Sequence, residues 1–196
     1  MIDFKSIQKR QTEVVKGSLA DIAKATGKTI AEAFIDAECV ALVDVSGSMS
    51  TNDSRDGQRR YDVACQELAK LQEKFPGKVA VISFATVAKF CPGGTPTHEG
   101  GGTDVAEALK FTKIADVEGM RFFLISDGQP DDEAAAMKVA GTYKCRIDTI
   151  YVGAMNDTYA RNFLTQLASN SGGQALTVDR VDGLGEKMMK LLAVGV

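Results

Sequence analysis

Apolar and polar positions along the chain follow two periods. From residue 38 onward, short unbroken apolar runs alternate with longer stretches in which apolar residues recur every three or four positions. The runs ECVALVDV (38–45), KVAVISFAT (78–86), GMRFFLISDGQP (119–130), RIDTIYVGAM (146–155) and QALTVD (174–179) read as strands, several of them apolar throughout and therefore buried on both faces. VAKFCP (87–92) reads as a short strand at an edge, because Pro92 has no N–H to give a neighbour. Between the runs lie helical patterns. In YDVACQELAKLQEKF (61–75), Tyr61, Ala64, Cys65, Leu68, Leu71 and Phe75 share one face, and Pro76-Gly77 ends the helix. Further helices are expected over 105–116, 133–144, 158–170 and 181–195. Strands alternating with helices predict a mostly parallel sheet covered on both faces.

Residues 1–37 carry no strand-like run. Ile7, Val14, Val15, Leu19, Ile22 and Ala23 recur near helical spacing, with Lys9, Arg10, Gln11, Glu13 and Lys16 on the polar side. Thr29 followed by Glu32 has the form of a capping box opening a short helix. A helical extension, packed on the remainder, is expected to precede the α/β domain of residues 38–196.

Composition narrows the class of function. The chain has 196 residues, 44% hydrophobic and 25% charged, with a formal net charge of −3. That is the balance of a globular protein, and the charge is too small to argue for nucleic acid or an anionic membrane. No apolar stretch reaches the ~18 residues of a membrane span, and the N-terminus lacks the apolar core of a signal peptide. The four cysteines are scattered, with no CxxC pair, and read as buried free thiols of a cytoplasmic protein.

The first strand ends in VDVSGSMS, where Asp44, Ser46 and Ser48 stand at every second position. A simple turn would explain the small polar residues. A metal held by oxygens would explain them too, since ligands of open parallel sheets bind beyond the carboxyl ends of the strands. Two other segments place oxygens at such an edge: Thr103, where the loop GGTPTHEGGGTD (93–104) meets a helix, and Asp127 in ISDG. Two carboxylates and three hydroxyls suit a hard cation such as Mg²⁺, with Mn²⁺ and Ca²⁺ as alternatives. Neutral hydroxyls leave such an ion electrophilic, which favours an anionic oxygen from outside.

The combination DVSGS, GGTD and ISDG resembles the von Willebrand factor A (VWA) domain with its metal-ion-dependent adhesion site. The resemblance covers about residues 38–196. It implies a doubly wound, mostly parallel central sheet with one short antiparallel edge strand and helices on both faces. It implies that Ser46, Ser48 and Thr103 bind the metal through hydroxyls, and Asp44 and Asp127 directly or through water. It further implies a protein-interaction module without chemistry of its own, completed by an Asp or Glu of a partner protein. AAA+ ATPases of the MoxR type are a partner class that the resemblance suggests.

The remaining features read more plainly. ATGKT (25–29) lacks the first glycine and the preceding strand of a phosphate-binding loop, and marks a helix boundary. His98, the only histidine, is expected to be solvated in its loop. Asp53, Arg55, Asp56, Arg59 and Arg60 read as a solvated polar loop, or as a rim that selects the partner. Asp131, Asp132 and Glu133 are expected to cap the helix they precede. Met188 and Met189 are expected to fill core space. Two alternatives to the interaction module stand. Asp44 after a first strand, with Ser126-Asp127 and Asp131 after a later one, partly resembles the Mg²⁺-dependent haloacid dehalogenase phosphatases, but Ser46 occupies the position of their general acid. The other is a structural domain with a vacant metal site.

Overall fold

The computed structural model describes residues 14–54, 57–154 and 157–177. Six strands form one sheet: β1 (Cys39–Asp44), β2 (Val79–Phe84), β3 (Ala88–Phe90), β4 (Arg121–Ser126), β5 (Ile147–Tyr151) and β6 (Ala175–Thr177). Their order is β3-β2-β1-β4-β5-β6. Every pairing is parallel except β2 with β3, where Ile82 faces Phe90 and Phe84 faces Ala88. The edge position expected of β3 from Pro92 is the observed one. The helices are α1 (Leu19–Thr26), α2 (Ile30–Ile35), α3 (Arg60–Lys74), α4 (Val105–Thr112), α5 (Glu133–Ala140) and α6 (Thr158–Asn170).

The strands are apolar throughout because both faces are covered. Val40 and Leu42 of β1 pack with residues of α1, α2, α4, α5 and α6, while Cys39, Ala41 and Val43 pack with Ala64, Leu68 and Leu71 of α3. Two helices end before the expected position. α4 closes at Thr112 and passes into a 3₁₀ turn over Lys113–Ala115. α5 stops at Ala140, where the chain folds back: Tyr143 donates its hydroxyl hydrogen to the Leu109 carbonyl, and the Asp116 carboxylate accepts from the Lys144 and Cys145 N–H groups.

The described residues before β1, 14–38, pack on this sheet rather than standing apart. Ser18 caps α1, Gly27 closes it in the left-handed conformation, and Thr29 and Glu32 form the capping box of α2. The ATGKT stretch is thus the boundary between two helices. Leu19, Ala23 and Ala33 join the core beneath β1 and β2. Backbone bonds tie the segment to the amino edge of the sheet: Val15 N to Gly93 O at 2.9 Å, Ala20 N to Pro92 O at 2.8 Å and Gly77 N to Gly17 O at 2.8 Å. The carboxyl edge lies at the other end of the strands. Residues 1–13 and the expected helix over 181–195, with Met188 and Met189, lie outside the described residues. Among the described residues no helix is long and apolar enough to cross a membrane.

The order reverses between β1 and β4: β2 and β3 follow β1 on one side, β5 and β6 follow β4 on the other. The crevice of a doubly wound sheet opens at such a point, above the carboxyl ends of the two strands. Here those ends are Asp44 and Ser126.

Candidate functional site

The chain leaves β1 in a turn built by Asp44 itself. Its Oδ1 accepts from the Ser46 N–H at 2.8 Å, and a 3₁₀ turn over Gly47–Ser50 follows. Met49, fully buried against the α3 face, anchors that turn in the core. The hydroxyls of Ser46 and Ser48 stand 3.1 Å apart. The turn expected from composition is therefore real, and it leaves two hydroxyl groups beside one carboxylate.

The other two segments lie against this turn. Gly47 N donates to Gly101 O at 3.2 Å, and Gly100 N to Val45 O at 3.1 Å, so the Gly-rich loop is laced onto residues 45–47. Thr103, nearly buried, is held by a reciprocal bond with Asp131: its N–H donates to Asp131 Oδ2, and its carbonyl accepts from the Asp131 N–H, both at 3.0 Å. This needs glycine at 102, because a Cβ there would lie 2.3 Å from Asp131 Oδ2. Asp131 thus binds the Thr103 loop, whereas Asp132 caps α5 through the Ala135 N–H. The expectation that all three acidic residues serve the helix is corrected at Asp131.

Asp127 closes the arrangement from β4. The preceding Ser126 donates its hydroxyl hydrogen to Asp44 Oδ2 at 2.6 Å and accepts from the Gly128 N–H. Asp127 is 1% exposed, and its Oδ1 has no hydrogen-bond partner among the described residues. Burial, and then the charge of Asp127, push the Asp44 carboxyl up to about 6, against the hydrogen bonds from Ser126 and Ser46 that favour its ionised form. Two carboxylates therefore share a desolvated crevice with a deficit of positive charge.

One cation meets that deficit in part. The Arg60 guanidinium, at the first residue of α3, gives Nη1 to Asp127 Oδ2 at 2.8 Å and Nε to Asp53 Oδ1 at 2.6 Å. Its side chain is 12% exposed. The reading of Arg60 as part of a solvated loop is corrected, because its side chain turns inward, while Asp53 stays exposed as expected. Arg59 pairs instead with Asp62, and Arg55 and Asp56 lie outside the described residues. His98 is half-buried rather than solvated. Its ring stands edge-on to Tyr61, with centroids 5.2 Å apart, and its Nε2 lies 3.1 Å from Ser50 Oγ. Burial, then Arg59, pull its pKa down.

Sequence reasoning set Ser126 and Asp131 near this edge only under the phosphatase alternative, and Arg60 only in the polar loop or rim; what it missed are the bonds these three make here. Ser126 had a usable signal, since it directly precedes Asp127 at a strand end. Arg60 had none, because nothing in a run of mixed charges says which side chain turns inward.

Chemically, the described residues of the crevice offer carboxylate and hydroxyl oxygens and no imidazole or thiolate. Among the described residues no group of three or more His, Cys, Asp or Glu side chains converges on one point, so any cation here must draw on hydroxyls. The unpartnered Asp127 oxygen, the strained ionisation of Asp44 and the paired serines fit a hard divalent cation.

No family model matches the chain, and no curated protein matches it in sequence. Solved structures match it in shape. An aerotolerance-related membrane protein from Bacteroides fragilis, carrying multiple mutations to serines, superposes with a TM-score of 0.61 at 16% identity, over 81% of this chain and 97% of that one. Proximal thread matrix protein 1 from the mussel byssus superposes with a TM-score of 0.55 at 17% identity, over 80% of this chain and 47% of that one. The chain thus spans about half the length of the mussel protein. Similarity at this level of identity concerns architecture alone, and the architecture is the VWA-like doubly wound α/β fold.

Proposed function

We propose that the chain is a metal-dependent protein-interaction module, which receives a partner's Asp or Glu carboxylate at the carboxyl edge of β1 and β4. The observation that carries this reading is the sealed, unpartnered Oδ1 of Asp127 beside the fully buried Asp44, at the switch point of the sheet. Ser46, Ser48 and Thr103 would hold Mg²⁺ through their hydroxyls, and Asp44 and Asp127 directly or through water. When bound, the ion supplies an electrophilic position for an external anionic oxygen, because three of its protein donors are neutral. The chain's own residues prepare that position. Asp44 shapes the turn that pairs the serines, Met49 fixes the turn in the core, and Asp131 holds the Thr103 loop against it. Mg²⁺ is favoured by abundance in cells, with Mn²⁺ or Ca²⁺ as substitutes. A MoxR-type AAA+ ATPase is the partner class that the resemblance of DVSGS, GGTD and ISDG suggests.

The test is calorimetry on the full chain, followed by capture of the partner. One Mg²⁺ or Mn²⁺ site is expected, weakened at least about tenfold in Ser46→Ala/Ser48→Ala. Chelator and the double serine variant should each release a captured AAA+ ATPase or other acidic partner. Retention of the partner under both conditions would remove the metal from the interface.

The phosphatase reading makes a separate prediction. Both oxygens of Asp44 already accept hydrogen bonds, and Ser46 cannot protonate a leaving group near neutral pH. Purified protein with Mg²⁺ is therefore expected to leave an aryl phosphate unhydrolysed. Turnover that disappears in Asp44→Asn would replace the interaction module with an enzyme.

A further inference from the structure

We infer that Arg60 is a built-in counter-ion that sets the divalent-ion affinity of this edge, a role that rests on the metal-binding reading above. Three observations carry it. First, the guanidinium is forked between two carboxylates, with Nε and Nη2 on Asp53 and Nη1 on Asp127. It occupies one oxygen of Asp127 and leaves the other, Oδ1, buried and without a partner among the described residues. Second, the position is unfavourable for a cation on local grounds. Arg60 is the first residue of the 15-residue α3, at the positive end of the helix macrodipole, and the Arg59 side chain makes no capping bond there. A cation so placed needs carboxylates opposite it, and Asp53 and Asp127 provide them. Third, the side chain is almost enclosed, so its charge acts on the crevice with little screening by water.

The consequence follows from charge alone. Arg60 neutralises part of the negative field of Asp44 and Asp127, and so stabilises the edge when no cation is present. The same positive charge repels an incoming divalent ion. Asp53 moderates that repulsion by drawing two of the three guanidinium contacts away from Asp127. Arg60 is therefore a positioning residue that lowers affinity while keeping the crevice ordered, so that occupancy responds to the ion's concentration. At the effective dielectric of a protein surface, a unit charge a few ångströms from a dication changes binding by about tenfold or more.

The experiment is calorimetric titration of Mg²⁺ into the full chain, with thermal unfolding in chelator as a second readout. Arg60→Gln is expected to bind Mg²⁺ about tenfold more tightly than wild type and to melt at a lower temperature in chelator. Asp53→Asn is expected to bind about threefold to tenfold more weakly, because Arg60 then has only Asp127 to pair with. Arg60→Lys keeps the charge without the fork and should stay within about threefold of wild type, whereas a role in shape alone would make Lys and Gln behave alike. Wild-type binding with equal or weaker binding by Arg60→Gln overturns the counter-ion role and leaves the metal reading standing. Absence of Mg²⁺ binding in both proteins overturns both. Binding by Arg60→Gln where wild type shows none supports the counter-ion role in its strongest form.

Discussion

Asp44→Asn is expected to lose divalent-ion binding by about a hundredfold or more and, in chelator at neutral pH, to be more stable than wild type. The reason is the sign of one titration. In the folded chain the Asp44 carboxyl is pushed up to about 6 from an ordinary value of 3.8. A raised carboxyl holds its proton more tightly in the folded state, so its contribution to stability is greatest below about pH 4 and falls as pH rises towards 6. Above that the ionised group costs roughly 3 kcal/mol, from two pKa units at about 1.4 kcal/mol each. Asn cannot ionise, and it gives back part of the gain, about 1 kcal/mol, because the Ser126 hydroxyl loses an acceptor. The net difference should be about 2 kcal/mol in favour of Asn at pH 7.5 and should vanish or reverse near pH 4. Comparing the two proteins isolates this carboxyl from Asp53, which Arg60 holds below its usual range. Urea denaturation in chelator across that pH range, with calorimetry for Mg²⁺, checks both halves. A variant that binds Mg²⁺ like wild type, or a stability difference independent of pH, would refute the role of Asp44.

Gly17→Ala should destabilise the protein by roughly 3 kcal/mol or more, although it adds one methyl group far from the crevice. Gly17 has φ +82°, and a Cβ would lie 2.1 Å from the Gln72 carbonyl oxygen. Neither neighbour can yield cheaply. Gly17 O accepts from Gly77 N, its N–H donates to Asp21 Oδ2, and the buried Gln72 amide donates to the carbonyls of Leu68 and Gly94. The segment would have to lift, uncovering Leu19 and Ala23. Gly27→Ala is the control. It has φ +71° with nothing within 4 Å of the added atom, so it carries only the left-handed penalty of about 1–2 kcal/mol. Equal losses in the two variants, measured by urea unfolding, would show that the docking of this segment contributes nothing.

These contrasts explain what the sequence could and could not convey. β1 was legible because six successive residues are buried on a two-sided sheet, and a run of apolar residues has few other uses. The α2 start was legible because a capping box is a local code, read within four residues. The helix ends after 112 and 140 were not, because they depend on Tyr143 and Asp116 reaching across to other elements. At the candidate site, the carboxyl-edge placement of Asp44, Ser46, Ser48, Thr103 and Asp127 followed from strand ends and loop glycines. The inward turn of Arg60 and the pairing of Asp131 with Thr103 are bonds between segments 67 and 28 residues apart, and no periodicity reports those.

The sheet order also dictates a schedule for synthesis. β1 is central, yet one of its two neighbours is β4, whose pairing runs from Cys39 with Arg121 to Val43 with Ile125. A chain emerging from the ribosome therefore makes β1, β2 and β3 long before the strand that seals the other flank of β1. Until residue 125 is out, that flank is an open row of backbone donors and acceptors on a strand apolar on both sides, which invites pairing with another chain. The crevice is on the same timetable: the bond from Ser126 to Asp44 joins residues 82 positions apart, so a stalled or truncated product holds the turn of the first strand but no closed site.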